Sequence, residues 1–130
     1  MVLVDTTVWI DIFAGRSYAH VNALEKLIKE RQDICICGII LSEVLQGIRQ
    51  GSEFVRTRDL LAKLVFLPMR YSTFLQSAEI YRTLRKKGTS IRKPMDCMIA
   101  AVAIENDVPL LHNDKDFIPI EKHFKLKRHL

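Results

Sequence analysis

The stretch Val2-Leu3-Val4-Asp5-Thr6-Thr7-Val8-Trp9-Ile10-Asp11-Ile12-Phe13 decides the fold. Its first three aliphatic residues read as a strand buried on both faces. Val8, Trp9, Ile12 and Phe13 then recur at helical spacing behind Thr6 and Thr7, hydroxyl residues suited to a cap. A strand therefore runs straight into a helix, with the carboxylate of Asp5 at the joint.

The alternation continues outward from there. A second helix carries Val21, Leu24, Leu27 and Ile28, ends near Arg31, and precedes a strand over Ile34 to Cys37. Ile40, Val44, Leu45 and Ile48 form a helical stripe closed by Gly47 or Gly51, and Leu60, Leu61 and Leu64 mark a helix before a strand over Val65 to Leu67. Ser72 opens a long helix through Leu84, stopped by Gly88, and Pro94 suits the first turn of another running through Ala103. Leu110 and Leu111 read as a central strand, with a last one around Leu126. Strands alternating with helices predict an α/β fold with a mostly parallel sheet covered on both faces. Sites in such sheets lie beyond the carboxyl ends of the strands, where the strand order switches.

With 130 residues, 48% hydrophobic and 27% charged, the chain has the size of one compact domain, expected to span residues 1–130. No apolar run approaches the about 20 residues that cross a bilayer, and Asp5 interrupts any leader-like start, so a cytoplasmic protein without membrane contact is expected. Cys35, Cys37 and Cys97 include no C-x-x-C pair and read as buried thiols. No phosphate-cradling glycine loop and no G-x-S-x-G elbow is present. His20, His112, His123 and His129 read as surface or strand-end residues.

Five acids stand where apolar residues or turns are normal: Asp5, Glu43, Asp96, Asp114 and Asp116. Converging carboxylates without matching bases must bind cations, and carboxylate oxygen suits Mg²⁺ or Mn²⁺. Each acid also has a plainer reading. Asp5 is placed to cap the following helix, Asp96 to favour a helix dipole, and Asp114 and Asp116 to form turns. Glu43 lies in an apolar stripe, where a purely structural role needs a basic partner such as Arg49 or Arg92. Asp11 is expected on an exposed helix face and Trp9 in the core. The net charge of +5 gathers in Arg82, Arg85, Lys86, Lys87, Arg92 and Lys93, and again from Lys122 to Arg128. A basic rim about an acidic centre fits a polyanion held over a metal.

Four ordered blocks carry a resemblance across essentially the whole chain: Leu3 to Asp11, Ser42-Glu43, Pro94 to Ala101, and Leu110 to Phe117. They resemble the blocks of PIN domains, most closely the VapC toxins of toxin–antitoxin pairs. The resemblance implies a three-layer α/β/α sandwich and Mg²⁺- or Mn²⁺-dependent RNA cleavage. It implies Asp5, Glu43, Asp96 and Asp114 as the acidic quartet, Asp116 as a further metal-side acid, and Thr7 as the hydroxyl supporting the first acid. Relatives commonly carry Thr or Ser where this chain has His112, a departure that bears on the hydrogen bond supporting the acid there. A VapB-like antitoxin that fills the crevice, a transfer or ribosomal RNA substrate and a homodimer are the partners expected.

The mechanism expected is hydrolysis of an RNA phosphodiester. Asp5, Asp96, Asp114 and Asp116 would hold one or two Mg²⁺ or Mn²⁺ ions, in the two-ion case about 4 Å apart, and Glu43 would orient or deprotonate the attacking water. Arg85, Lys86, Lys87, Arg92 and Lys93 would track the RNA backbone. Two alternatives compete. A non-catalytic RNA- or partner-binding module needs the basic run but no acids, and a small Mg²⁺-dependent phosphohydrolase needs a D-x-D that Asp5-Thr6-Thr7 does not meet.

Overall fold

The computed structural model describes residues 1–130. Strands β1 (Val2–Val4), β2 (Ile34–Cys37), β3 (Val65–Leu67) and β4 (Leu110–Leu111) form one sheet in the order β3-β2-β1-β4. Every pairing is parallel, with Leu3 opposite both Cys35 and Leu110. Around it lie α1 (Thr6–Phe13), α2 (Ala19–Lys29), α3 (Gly38–Gln46), α4 (Gly51–Leu61), α5 (Tyr71–Lys86), α6 (Pro94–Glu105) and α7 (Ile118–His123), giving the expected α/β/α arrangement. The chain lays β1, β2 and β3 outward in one direction and then returns to place β4 on the other side of β1. The order therefore switches between β1 and β4, and sites in such sheets lie beyond the carboxyl ends of the strands at that switch.

The aliphatic runs of β1, β2 and β4 are buried throughout, as strands covered on both faces must be, while edge strand β3 exposes Val65 and Phe66 and buries only Leu67. The core centres on Leu3, Ile36, Ile99, Leu110, Leu111 and Phe117. Helix α6 is buried from Ile99 to Ala103, and three alanines in that run let it approach its neighbours closely. It packs along α5, whose entry is tied to the end of α6 by Ser72 and Thr73 hydroxyls donating to Glu105 at 2.8 and 2.7 Å. Gly88 stops α5 at a φ of +80°, where a side chain would be strained. All three cysteines are free and buried. No helix is long and apolar enough to cross a membrane.

Several expectations need correction. Of the two cap readings, the one at Thr6 and Thr7 gives way to the one at Asp5, which caps α1 with its side chain accepting the Thr7 N–H. The stripe of α3 closes at Gly47, leaving Ile48 outside, and α4 starts at Gly51 through residues too polar to show a stripe. No strand forms at Leu126. A single parallel bridge joins Leu110 to Arg128, with the Leu110 N–H donating to the Lys127 carbonyl at 2.9 Å. The short 3-10 turn Lys115–Phe117 and α7 had no sequence counterpart.

Asp11 and His20 are the largest surprise, since both are buried. The Asp11 carboxylate accepts from Arg16 at 2.7 Å and meets His20 Nε2 at 2.6 Å, which clamps α1 to α2. Burial pushes the Asp11 carboxyl up, but the hydrogen bonds from His20 and Arg16 outweigh it and hold the group below the usual carboxylate range. Asp11→Ala should strand a buried imidazole donor, costing about 1–3 kcal/mol and lowering the melting temperature by roughly 4–10 °C. An unchanged melt would show that the clamp carries no stability.

Candidate metal centre and active site

Beyond the carboxyl ends of the strands, four elements deliver the acids. Asp5 follows β1 directly, its backbone N–H donating to the Leu111 carbonyl at 2.9 Å. Its Oδ2 accepts from the Thr7 N–H at 3.2 Å and the Thr7 hydroxyl at 2.7 Å, so capping and the hydroxyl support fall on one side chain. Burial pushes its carboxyl above the usual range despite those bonds.

Asp96 is the third residue of α6, just behind Pro94, and only 6% exposed. Burial first, then the charges of Asp114 and Asp5, push its carboxyl up to about 7, against the pull of Lys93. Asp114 lies three residues beyond the end of β4. Its Oδ1 accepts the Asp116 N–H at 2.9 Å and its Oδ2 accepts from Lys93 Nζ at 3.2 Å. Burial raises the Asp114 carboxyl, yet the Asp116 N–H and the Lys93 ammonium hold it below the usual range. Asp116 Oδ1 faces Arg92 at 3.5 Å.

One oxygen from each of Asp96, Asp114 and Asp116 lies within 4.8 Å of the others. Asp96 Oδ2 and Asp116 Oδ2 are buried without any hydrogen-bond partner. Unpaired buried carboxylate oxygens are costly, and a hard cation is the partner that their chemistry suits. The residues present therefore fit a divalent ion. Asp5 stands beside this triplet rather than in it, close enough for its charge to raise Asp96.

Glu43 sits in the second turn of α3, half-buried. Its partner is neither Arg49 nor Arg92 but the Thr6 hydroxyl, which donates to Oε1 at 2.8 Å. Thr6 is the residue that sequence reasoning missed, because a threonine after a strand reads first as a cap. Burial raises the thiol of Cys37, and the charges of Asp5 and Glu43 add to it, which places both acids at the same end of β2.

The basic run divides. Arg85, Lys86 and Lys87 are exposed at the end of α5, with Arg85 lying over the Tyr81 ring at 5.7 Å. Arg92 and Lys93 instead face the acids, as counter-charges to Asp116 and Asp114. Both cations remain largely exposed, so each pair is worth about 0–1 kcal/mol.

A parallel sheet with acids gathered at its switch point defines the class: an α/β domain with a candidate metal centre. The PIN domain model matches residues 2–122, and the chain belongs to that family. "Ribonuclease VapC11" of Mycobacterium tuberculosis is 34% identical over 119 residues, covering 90% of this chain and 89% of that protein. "VapC ribonuclease Mb1587" of Mycobacterium bovis gives the same figures, 34% identity over 90% and 89% of the two chains. Among solved structures, a toxin–antitoxin complex from Klebsiella pneumoniae superposes with a TM-score of 0.73 at 26% identity over 92% of each chain. VapBC2 from Rickettsia felis, bound to a promoter DNA fragment, shares the fold with a TM-score of 0.77 at 22% identity, over 99% of this chain and 98% of that one.

Proposed function

We infer that the chain is a divalent-metal-dependent endoribonuclease, a single-domain VapC-type toxin that acts in the cytoplasm and pairs with a VapB-like antitoxin. The observation that carries this reading is the Asp96, Asp114 and Asp116 triplet, with two unpartnered buried oxygens at the switch of a PIN fold. The relatives named as VapC ribonucleases supply the substrate class, RNA, and the toxin–antitoxin complexes of like fold supply the partner.

Asp96, Asp114 and Asp116, joined by Asp5, would hold Mg²⁺ or Mn²⁺. A bound ion of this kind polarises the scissile phosphate and lowers the pKa of water. Thr6 fixes one oxygen of Glu43 and leaves the other to orient the attacking water and accept its proton. Thr7 and the α1 cap hold Asp5 in place. Lys93 and Arg92, which lie beside Asp114 and Asp116, would meet the substrate phosphate. Because water attacks, products carry 5′-phosphate and 3′-hydroxyl ends. Cleavage of a transfer or ribosomal RNA should require added Mg²⁺ or Mn²⁺ and stop in excess chelator. Turnover that persists in chelator would overturn the reading.

Arg85, Lys86 and Lys87 extend the positive surface away from the acids and bind backbone phosphates. Replacing Lys86 and Lys87 with Ala should weaken RNA binding for all sequences alike and flatten the log–log salt dependence by about 0.7 per lost contact on single strands. The rate on saturating RNA should hardly change. Normal binding by the double variant at every salt concentration would make this run a solvated face.

A further inference from the structure

We propose that His112, seated by Glu121, is the positioning residue that sets Asp114 for metal binding, an inference resting on the reading of Asp96, Asp114 and Asp116 as ligands. His112 follows β4 and is only 2% exposed, its ring tilted against Phe117 at 4.7 Å. The backbone N–H of Asp114 donates to His112 Nδ1 at 3.1 Å. Nε2 lies 3.0 Å from Glu121 Oε2, on α7. Only the tautomer with its proton on Nε2 satisfies both contacts, because Nδ1 must accept and the carboxylate cannot donate. Glu121 therefore selects the tautomer, and the tautomer anchors Asp114.

The chain of bonds continues into the metal centre. With its N–H held by His112, Asp114 accepts the Asp116 N–H on Oδ1, so the turn that presents both carboxylates is pinned from below. A Ser or Thr hydroxyl at position 112 has the chemistry to accept the same N–H two residues on. The imidazole does this and also reaches α7, which links the seating of that short helix to the ligand geometry. Supporting partners of metal ligands typically change affinity by about 10–100-fold when removed.

The test compares His112→Val, His112→Thr and Glu121→Leu in the full chain, free of RNA. Mn²⁺ affinity is read by calorimetry, and exchange of the Asp114 amide is read by NMR in chelator. His112→Val should lose about 10–100-fold in Mn²⁺ affinity and expose the Asp114 amide to exchange, while His112→Thr should recover most of both. A residue needed only for packing against Phe117 would not be rescued by threonine. If His112→Val fails to fold, Glu121→Leu carries the test, since it frees the imidazole without emptying the site beneath Asp114. Wild-type Mn²⁺ affinity in the variants, or equal losses for Val and Thr, overturns the proposal while leaving the nuclease reading standing, provided the unmodified chain binds Mn²⁺ and cleaves RNA. If the unmodified chain does neither, both fall together.

Discussion

Asp96→Asn should lower the single-turnover rate of RNA cleavage by at least about a thousandfold, equivalent to about 4 kcal/mol of lost transition-state stabilisation. In chelator the same variant should melt at a higher temperature than the parent. The two effects share one cause. Asp96 is a buried carboxyl with one unpartnered oxygen, crowded by Asp114 and Asp5, so its charge is costly without a cation beside it. Asparagine keeps the shape, removes the charge and offers an amide donor to the acids nearby. Asp59→Asn is the control, because that acid lies exposed beside Arg58 and far in function from the crevice. Full cleavage by Asp96→Asn would remove Asp96 from the metal centre. Lost cleavage with a lower melting temperature would instead point to a structural role.

How legible this was in the sequence differs by residue. The strands β1, β2 and β4 were readable because they are short aliphatic runs buried on both faces, whereas β3 was readable as a short apolar run at the sheet edge although Val65 and Phe66 are exposed. Asp96, Asp114 and Asp116 were readable because acids are unusual at such places, and their mutual approach follows from the switch in strand order. What escaped was pairing between polar side chains. Asp11 and His20 lie nine residues apart on different helices, and nothing local shows that their faces meet. For Glu43 a purely structural role called for Arg49 or Arg92, but its partner is the hydroxyl of Thr6, 37 residues away. Arg92 and Lys93 belonged by sequence with Arg85, Lys86 and Lys87, yet the loop after Gly88 turns them onto the acids. Helix α7 was invisible because six residues containing a proline show no periodicity, although it carries Glu121 beneath His112.

In chelator, the protein should lose stability as pH rises from about 4 to about 7, and Mn²⁺ should restore it most strongly at the upper end. Asp96 in the folded chain titrates at about 7, against an ordinary 3.8. Between those values the folded state binds more protons than the unfolded state, so stability falls with rising pH. The contribution is complete below about 4 and gone above about 7. Asp5, also raised by burial, acts with the same sign. Asp114, Asp11, Glu105 and Asp107 are held low and act with the opposite sign, their contributions being present above the ordinary carboxylate range and lost in more acidic solution. The difference in melting temperature between the parent and Asp96→Asn, measured from pH 4 to 8, removes the histidines and the other acids from the comparison. At pH 8 the carboxylates are ionised and free for a cation, so Mn²⁺ at a hundred times its Kd should add about 2.7 kcal/mol, roughly 10 °C for a domain of this size. At pH 5 protons compete for Asp96, and the gain should shrink to a small part of that. A parent-minus-variant difference that stays flat from pH 4 to 8, or an equal Mn²⁺ gain at both ends, would mean that Asp96 is neither proton-loaded without metal nor a ligand with it.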